Sequence, residues 1–148
     1  MAYISFQPND YFNTKLYTGT GSAQSITGVG FQPDWCWLKS RASANHRVFD
    51  AVRGATKAIY PSLSNAEGTS SAELNAFNSD GFTLGSEANV NANGVNFVSW
   101  NWKANGQGSA NTAGSINTTY TSVDTTSGFS ISTYTGTGSN ATVGHGLG

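Results

Sequence analysis

Few side chains in this sequence have the types and spacing that acid–base or nucleophilic chemistry requires. His46 and Asp50 flank Val48 at alternate positions, so in an extended strand all three would lie on one face. A histidine beside a carboxylate is half of a catalytic triad, but the sequence contains no Gly-x-Ser-x-Gly elbow for a nucleophilic serine. The simpler interpretation is an ion pair of Asp50 with Arg47 or Arg53 that stabilises a hairpin.

The carboxylates also lack the pairing that glycoside hydrolysis needs. No two acidic residues lie two positions apart on one strand face, whereas a glycosidase needs two carboxyl groups roughly 5–10 Å apart. Asp34 and Asp80 lie in turn sequences, where a short carboxylate bonds its own backbone. We therefore predict no catalytic residue and no enzyme activity. An enzyme such as a glycan depolymerase is a third hypothesis, after the two given at the end of this section.

Motifs for metals and cofactors are equally weak. Residues 89–94 place amides at alternate positions before a glycine, but they lack the carboxylates and the final glutamate of a calcium loop. The Asn93-Gly94 pair is instead typical of a type I′ hairpin turn. The lone Cys36 can form neither an intramolecular disulfide nor a thiolate cluster, and its place between two tryptophans predicts inert burial. The sequence therefore predicts no metal site and no cofactor.

Four tryptophans lie in two short alternating segments, namely Trp35, Trp37, Trp100 and Trp102. They could form a platform on which sugars stack. We expect them in the core, because large aromatic side chains dominate burial. If the chain binds a glycan, we expect an exposed aromatic ring beside amides, and the candidates are Trp102 with Asn101, or Asn91 with Asn93.

The same segments show the period-two alternation of β-strands. Residues 34–39 predict a strand buried on both faces, and residues 96–103 predict a half-buried strand with Trp100 and Trp102 on one face. Further strands are predicted over residues 11–18, 47–52, 57–60, 82–84 and 129–134. Residues 70–77 are the one helix-like window, a single turn at most. Many short strands with Gly-rich turns predict an all-β, antiparallel β-sandwich or jelly roll.

The chain contains an internal repeat. The pattern F-x-x-x-x-Y-T-G-T-G-S begins at Phe12 and again at Phe129, and a fixed offset indicates a modular array. We therefore expect an N-terminal arm (residues 1–10) and a β-sandwich module (11–104). A Gly/Ser/Asn/Thr-rich linker or loop (105–127) and the start of a second repeat (128–148) follow. That second repeat would be truncated or would complete the first sheet, and the arm could add a strand to another subunit.

The composition limits the classes of partner. Charged residues make up 10% of the chain and the net charge is −1, which argues against nucleic acid as a partner. The N-terminus lacks the features of a signal peptide, and no stretch approaches the roughly 20 apolar residues of a membrane span. A weakly charged surface suits incorporation into an assembly. A virus particle released by lysis would need no secretion signal.

Five segments together resemble a known family. Residues 18–21, 28–39, 49–57, 77–85 and 100–104 resemble a domain of unknown function found in virion proteins of marine tailed bacteriophages, near tail and fibre genes. The resemblance implies a lectin-like jelly-roll sandwich repeated in tandem, and it implies no established catalytic residue.

These observations give a first hypothesis and an alternative. The first is a structural component of a bacteriophage virion, such as a tail fibre, appendage or head-decoration protein, anchored through its N-terminal region. Its partners would be other virion proteins and copies of itself, and a trimer would be usual for a fibre. The alternative is a carbohydrate-binding module that attaches to a host surface glycan. Buried tryptophans would favour the scaffold, and a tryptophan lining a groove would favour the lectin.

Overall fold

The computed structural model describes residues 7–148, which form an almost entirely β structure. A 3-10 turn (Pro8–Asp10) is followed by β1 (Phe12–Thr18), β2 (Gln24–Ile26), β3 (Trp35–Ser40), β4 (Arg47–Asp50), β5 (Lys57–Ala58), β6 (Gly68–Thr69), β7 (Leu74–Asn78), β8 (Gly81–Leu84), α1 (Ala88–Asn91), β9 (Asn96–Trp102), β10 (Tyr120–Asp124) and β11 (Phe129–Thr133). Most of the predicted anchoring arm, residues 1–6, lies outside the described residues. Neither helical segment of residues 7–148 has the length or apolar character to cross a membrane.

Two antiparallel sheets pack face to face and form a β-sandwich. The larger sheet has the strand order β1-β9-β3-β4, and the smaller has the order β2-β8-β7. Cys36, Leu38 and Phe49 from the larger sheet meet Phe82 and Leu84 from the smaller one in a single core. Full burial of such a large apolar side chain contributes roughly 1.5–3 kcal/mol. The prediction of an all-β antiparallel sandwich is confirmed.

The alternation predicted for β9 is present, but the tryptophans are on its outer face. Phe97, Ser99 and Asn101 point inward and are buried, whereas Trp100 and Trp102 point outward and are half-buried. The inner layer is filled by the phenylalanine and leucine side chains of both sheets. Because the tryptophans lie on the opposite face of the sheet and stay half-buried, the expectation that they form the core is wrong.

The buried amide of Asn101 is fully used inside the sandwich. Its Nδ2 donates to the carbonyl of Asn13 and to Ser99 Oγ, both at 3.0 Å. The Cys36 thiol donates to Asn101 Oδ1 at 3.3 Å. Burial raises the pKa of this thiol, with a further contribution from Asp34. Cys36 is therefore buried and inert, as predicted.

Two local predictions are corrected by the structure. The helix-like window ends in the strand β7, which pairs with β8 and carries a bulge between Leu74 and Ala76. The turn at Asn93-Gly94 joins α1 to β9 and closes with Val95 N–H donating to the carbonyl of Ala92 at 3.1 Å. Gly94 has a positive φ and Asn93 does not, so this is not a type I′ turn.

The segment after the sandwich is ordered by its own hydrogen bonds. Residues 120–124, inside the predicted linker, form β10 and pair with β11. The connecting turn is fixed by Asp124 Oδ1, which accepts from the N–H groups of Thr126 and Ser127 at 2.8 and 3.0 Å. The first strand of the predicted second repeat is thus paired with a strand of the predicted linker. The division into module, linker and second repeat stays a prediction.

Candidate functional site

The outer face of the larger sheet carries two rows of aromatic side chains. Strand register places Phe12, Trp102 and Trp35 side by side on β1, β9 and β3. Two residues along, Trp100 of β9 lies beside Trp37 of β3. Residues two apart on a strand share a face, so all five rings lie on the same side of the sheet.

The rings hold one another in place by tilted and edge-to-face contacts. Ring centroids lie 4.6 Å apart for Phe12 and Trp102, and 4.7 Å apart for Trp35 and Trp102. Trp37 and Trp100 are 5.8 Å apart with planes 65° to each other. Aromatic pairs of this kind contribute about 0.5–1.5 kcal/mol beyond their burial. The contacts therefore fix the indoles while leaving part of each one open to solvent.

A groove of about 480 Å³ opens on this surface. It is lined by Phe12, Trp37, His46, Trp100 and Trp102, and we call it the aromatic groove. The lining is almost wholly apolar and contains no carboxylate, lysine or arginine. Its volume lies within the range of about 300–1,000 Å³ that is common for ligand sites.

His46 supplies a polar group to the groove lining. The indole N–H of Trp37 donates to His46 Nδ1 at 2.8 Å. Since Nδ1 accepts, the network assigns the proton of the neutral imidazole to Nε2, which is then a donor. Burial lowers the pKa of His46, and the charge of Lys39 lowers it further. The ring is therefore neutral at pH 7 and offers one N–H group.

A second hollow of about 330 Å³ shares Phe12 and Trp102 with the aromatic groove. Its other lining residues are Pro8, Tyr11, Ser127, Gly128 and Phe129. Phe129 stacks on Trp102 with centroids 5.9 Å apart and planes 24° to each other. The β10–β11 hairpin therefore packs against the aromatic face, and Phe12 and Trp102 form a ridge between two hollows.

Asn91, one of the predicted glycan contacts, is fully buried. Its Oδ1 accepts from the N–H of Thr20 at 2.9 Å and from Gln24 Nε2 at 2.6 Å. Its Nδ2 donates to the carbonyls of Ser22 and Gly85, both at 2.6 Å. An amide with four internal partners cannot reach a ligand, so the expected glycan contact is corrected to a structural role.

The other predicted site residues lie in three different places. Asn101 faces the core, on the side of β9 opposite Trp102, so its expected glycan contact is corrected as well. Asn93 is exposed, but it lies beyond the far end of β9. Six residues of strand, roughly 20 Å, separate Asn96 at that end from Trp102. Only Trp102 lines the aromatic groove, and its contact with a glycan stays a prediction.

Sequence reasoning did not identify Phe12 and His46 as neighbours of the tryptophans. A signal was present in the two W-x-W segments, because pairing them as adjacent strands places all four indoles on one face. Phe12 begins the repeat motif and pairs with Trp102, but strand pairing cannot be derived from alternation alone. His46 lies just before β4 and reaches Trp37 from the end of that strand.

The paired carboxylates lie outside the groove. Asp50 bonds the guanidinium of Arg53 at 2.6 Å, which agrees with the ion-pair interpretation. Arg47 pairs with Glu73 at 2.7 Å, and both side chains are buried. Among the described residues, no hydrogen bond joins Asp50 to His46.

The two carboxylates predicted to bond their own turns fasten distant segments instead. Asp80 accepts from the backbone N–H groups of Gly30 at 2.6 Å and Gly28 at 2.9 Å, and these bonds lower its pKa. Asp34 Oδ2 accepts from the N–H of Ala104 at 2.7 Å, while burial raises the pKa of Asp34. The expectation that each carboxylate bonds the backbone of its own turn is wrong, because the N–H groups that it accepts from belong to loops 50–70 residues away.

The fold and the groove define a β-sandwich module with an aromatic surface on its larger sheet. The chain belongs to the family described as Domain of unknown function (DUF7483), which matches residues 7–148. The matched range includes both the sandwich and the β10–β11 hairpin. No curated protein and no solved structure matches the chain.

Proposed function

We propose that this chain is a carbohydrate-binding module and that the aromatic groove is its glycan site. The observation that supports this most directly is the outward position of Trp37, Trp100 and Trp102 around the groove. Indoles usually contribute to stability through burial, but the core of this sandwich is filled without them. Concave apolar surfaces with a few polar groups are suited to binding a ligand.

A sugar matches the chemistry of this surface. One face of a pyranose ring carries C–H groups, and packing it on an indole removes apolar area from water at about 25 cal/mol per Å². The hydroxyl groups at the ring's edge need hydrogen-bond partners. Thr14 is exposed beside Trp100, and His46 offers its Nε2–H. Because no charged side chain lines the groove, a neutral sugar is favoured over an acidic one.

The tilt of the rings favours a single glycan chain over a flat polysaccharide surface. Trp35 and Trp102 are almost perpendicular, at 82°, and the Trp37 and Trp100 planes meet at 65°. A flat crystalline surface would need coplanar rings. A soluble chain could instead place one sugar in the aromatic groove and the next in the second hollow, across the Phe12–Trp102 ridge.

The test is a fluorescence titration with soluble neutral oligosaccharides, using gluco-, manno-, galacto- and N-acetylglucosamine hexasaccharides. Trp100→Ala removes a groove wall whose one ring contact within residues 7–148 is to Trp37. We expect it to weaken binding at least tenfold, which is about 1.4 kcal/mol. Leu16→Ala is the matched control, because Leu16 is 65% exposed on the same sheet face away from the groove. Equal affinity for both variants, or no response to any of the four sugars, would refute the proposal.

A second candidate function is a structural subunit of a bacteriophage particle, with the groove displayed to the host. The open edge of the larger sheet supports it: among the described strands β1 pairs only with β9, and Leu16 projects from it. Such an edge can accept a strand from another subunit. Mass spectrometry of density-purified particles should find the chain in a fixed ratio to the capsid protein. Its absence from those particles would exclude this candidate.

A further inference from the structure

The two copies of the repeat have the same sequence but different surroundings. Tyr17 stacks on Phe97 with centroids 5.2 Å apart and donates its hydroxyl hydrogen to the carbonyl of Val90 at 2.8 Å. Its counterpart Tyr134 is 54% exposed. The tyrosine side chain that anchors the first copy is therefore largely exposed to solvent in the second copy.

The residues after Tyr17 bind the corner between α1 and β9. Gly19 N–H donates to the carbonyl of Val95, and Gly21 N–H donates to the carbonyl of Asn91, both at 2.8 Å. We call residues 90–95 the acceptor corner. The second copy repeats the same residues, as Tyr134, Thr135, Gly136, Thr137, Gly138 and Ser139.

Glycine is required at position 19 but not at its counterpart, position 136. A Cβ on Gly19 would overlap the carbonyl oxygen of Ala92 in the acceptor corner. A Cβ on Gly136 would meet no atom within 4 Å, and the backbone there does not need a positive φ. Gly136 would therefore permit a close backbone contact like that of Gly19, but it makes no such contact with any other described residue.

Among the described strands, β11 leaves one edge unpaired, and this edge corresponds to the edge of β1 that pairs with β9. Alternate residues of a strand direct their N–H and C=O groups to opposite edges. In the first copy, the carbonyl of Tyr11 and the N–H of Gly19 bond the β9 side, so the odd-numbered residues face β9. In β11 the carbonyl of Thr133 accepts from the N–H of Thr119, next to β10, so Thr133 faces β10. The backbone groups of Tyr134, and of every second residue before it, therefore face away from β10. These are the counterparts of the β9-facing residues.

We propose that residues 134–139 are a docking segment for the acceptor corner of a second copy of this chain, where they replace residues 17–22. Exchange of identical elements between subunits is a low-cost route to dimers. The donor keeps its β10–β11 hairpin, because the docking edge is the one that β10 leaves unpaired among the described strands.

Gly19→Ala tests the exchange directly. The added methyl group should expel the chain's own segment from its corner and leave that corner able to accept Gly136 of another copy. We expect the Gly19→Ala chain to form concentration-dependent dimers by light scattering, and the Gly19→Ala/Gly136→Ala chain to remain monomeric. A peptide of residues 127–142 should raise the Tm of the Gly19→Ala chain, and the same peptide with Gly136→Ala should not.

Gly136→Ala alone is the matched control, since its methyl group enters open space and should leave the Tm unchanged. In case Gly19→Ala prevents folding, the wild-type and Gly136→Ala chains are each unfolded and refolded at high concentration. We expect at least tenfold less dimer from Gly136→Ala. Equal dimer yields from these two chains, a monomeric Gly19→Ala chain, or equal effects of both peptides would overturn the proposal.

Discussion

Replacing Asn91 by alanine should destabilise the sandwich by about 3 kcal/mol, whereas replacing its neighbour Asn93 should have almost no effect. Asn91→Ala leaves the buried carbonyl of Gly85 without its donor, and an orphaned buried group costs about 1–3 kcal/mol. It also removes the bonds to Thr20 and Ser22, which lie on exposed residues where water can replace the amide. Each hydrogen bond that water replaces in this way costs about 0.5–1.5 kcal/mol of stability.

Urea unfolding followed by tryptophan fluorescence measures this difference. With a slope of roughly 1.5–2 kcal/mol per M, the midpoint of Asn91→Ala should fall by about 1.5–2 M. Asn93→Ala should stay within about 0.5 kcal/mol of wild type, as exposed substitutions usually do. Asn91→Asp keeps the shape and one acceptor but turns its second oxygen toward the carbonyls of Ser22 and Gly85, so it should also destabilise. Equal midpoints for Asn91→Ala and Asn93→Ala would show that this amide does not hold the loops.

Two further predictions concern the buried ion pair and the groove histidine. Glu73→Gln leaves the buried charge of Arg47 without its partner and should lower the free energy of unfolding by about 3–5 kcal/mol, measured by urea unfolding. The double variant Arg47→Met/Glu73→Leu should be much closer to wild type. A loss below about 1 kcal/mol for Glu73→Gln would contradict the prediction. The unfolded chain protonates His46 near pH 6.5, and the folded chain does so at a lower pH, so stability should decline as the pH falls below about 6.5. Glycan affinity depends on the folded chain alone, so it should decline only at the lower pH at which folded His46 becomes protonated. His46→Phe should flatten both profiles, and an unchanged pH dependence in that variant would exclude His46 as the cause.

The strands of this fold follow from local pattern, but the direction in which each strand faces does not. In β9, alternation separates Trp100 and Trp102 from Phe97 and Asn101 whatever the fold. Which set points inward depends on the opposing sheet, where Phe82 already fills the inner layer. That information lies in the packing of two sheets and is absent from the pattern of one strand.

The roles of the amides were beyond sequence reasoning for a related reason. An exposed Asn and a buried, fully bonded Asn look identical in a chain rich in Asn, Ser and Thr. Asn101 bonds the carbonyl of Asn13 at a separation of 88 residues, and Asn91 bonds Thr20 at a separation of 71. Only tertiary structure brings these partners together, so two of the three amides chosen as sugar contacts, Asn91 and Asn101, proved to be internal supports.

Strand β9 links the two proposed sites while keeping them independent. Its C-terminal end carries Trp100 and Trp102 in the groove, and its N-terminal end begins just after the acceptor corner, roughly 20 Å away. A glycan in the groove would therefore leave the corner free to exchange segments with another copy. Trp100→Ala should weaken sugar binding at least tenfold without changing dimer yield, and Gly136→Ala should lower dimer yield without changing sugar binding. If one substitution impaired both activities, the two sites would be coupled through β9, and the glycan would then be expected to shift the dimer equilibrium.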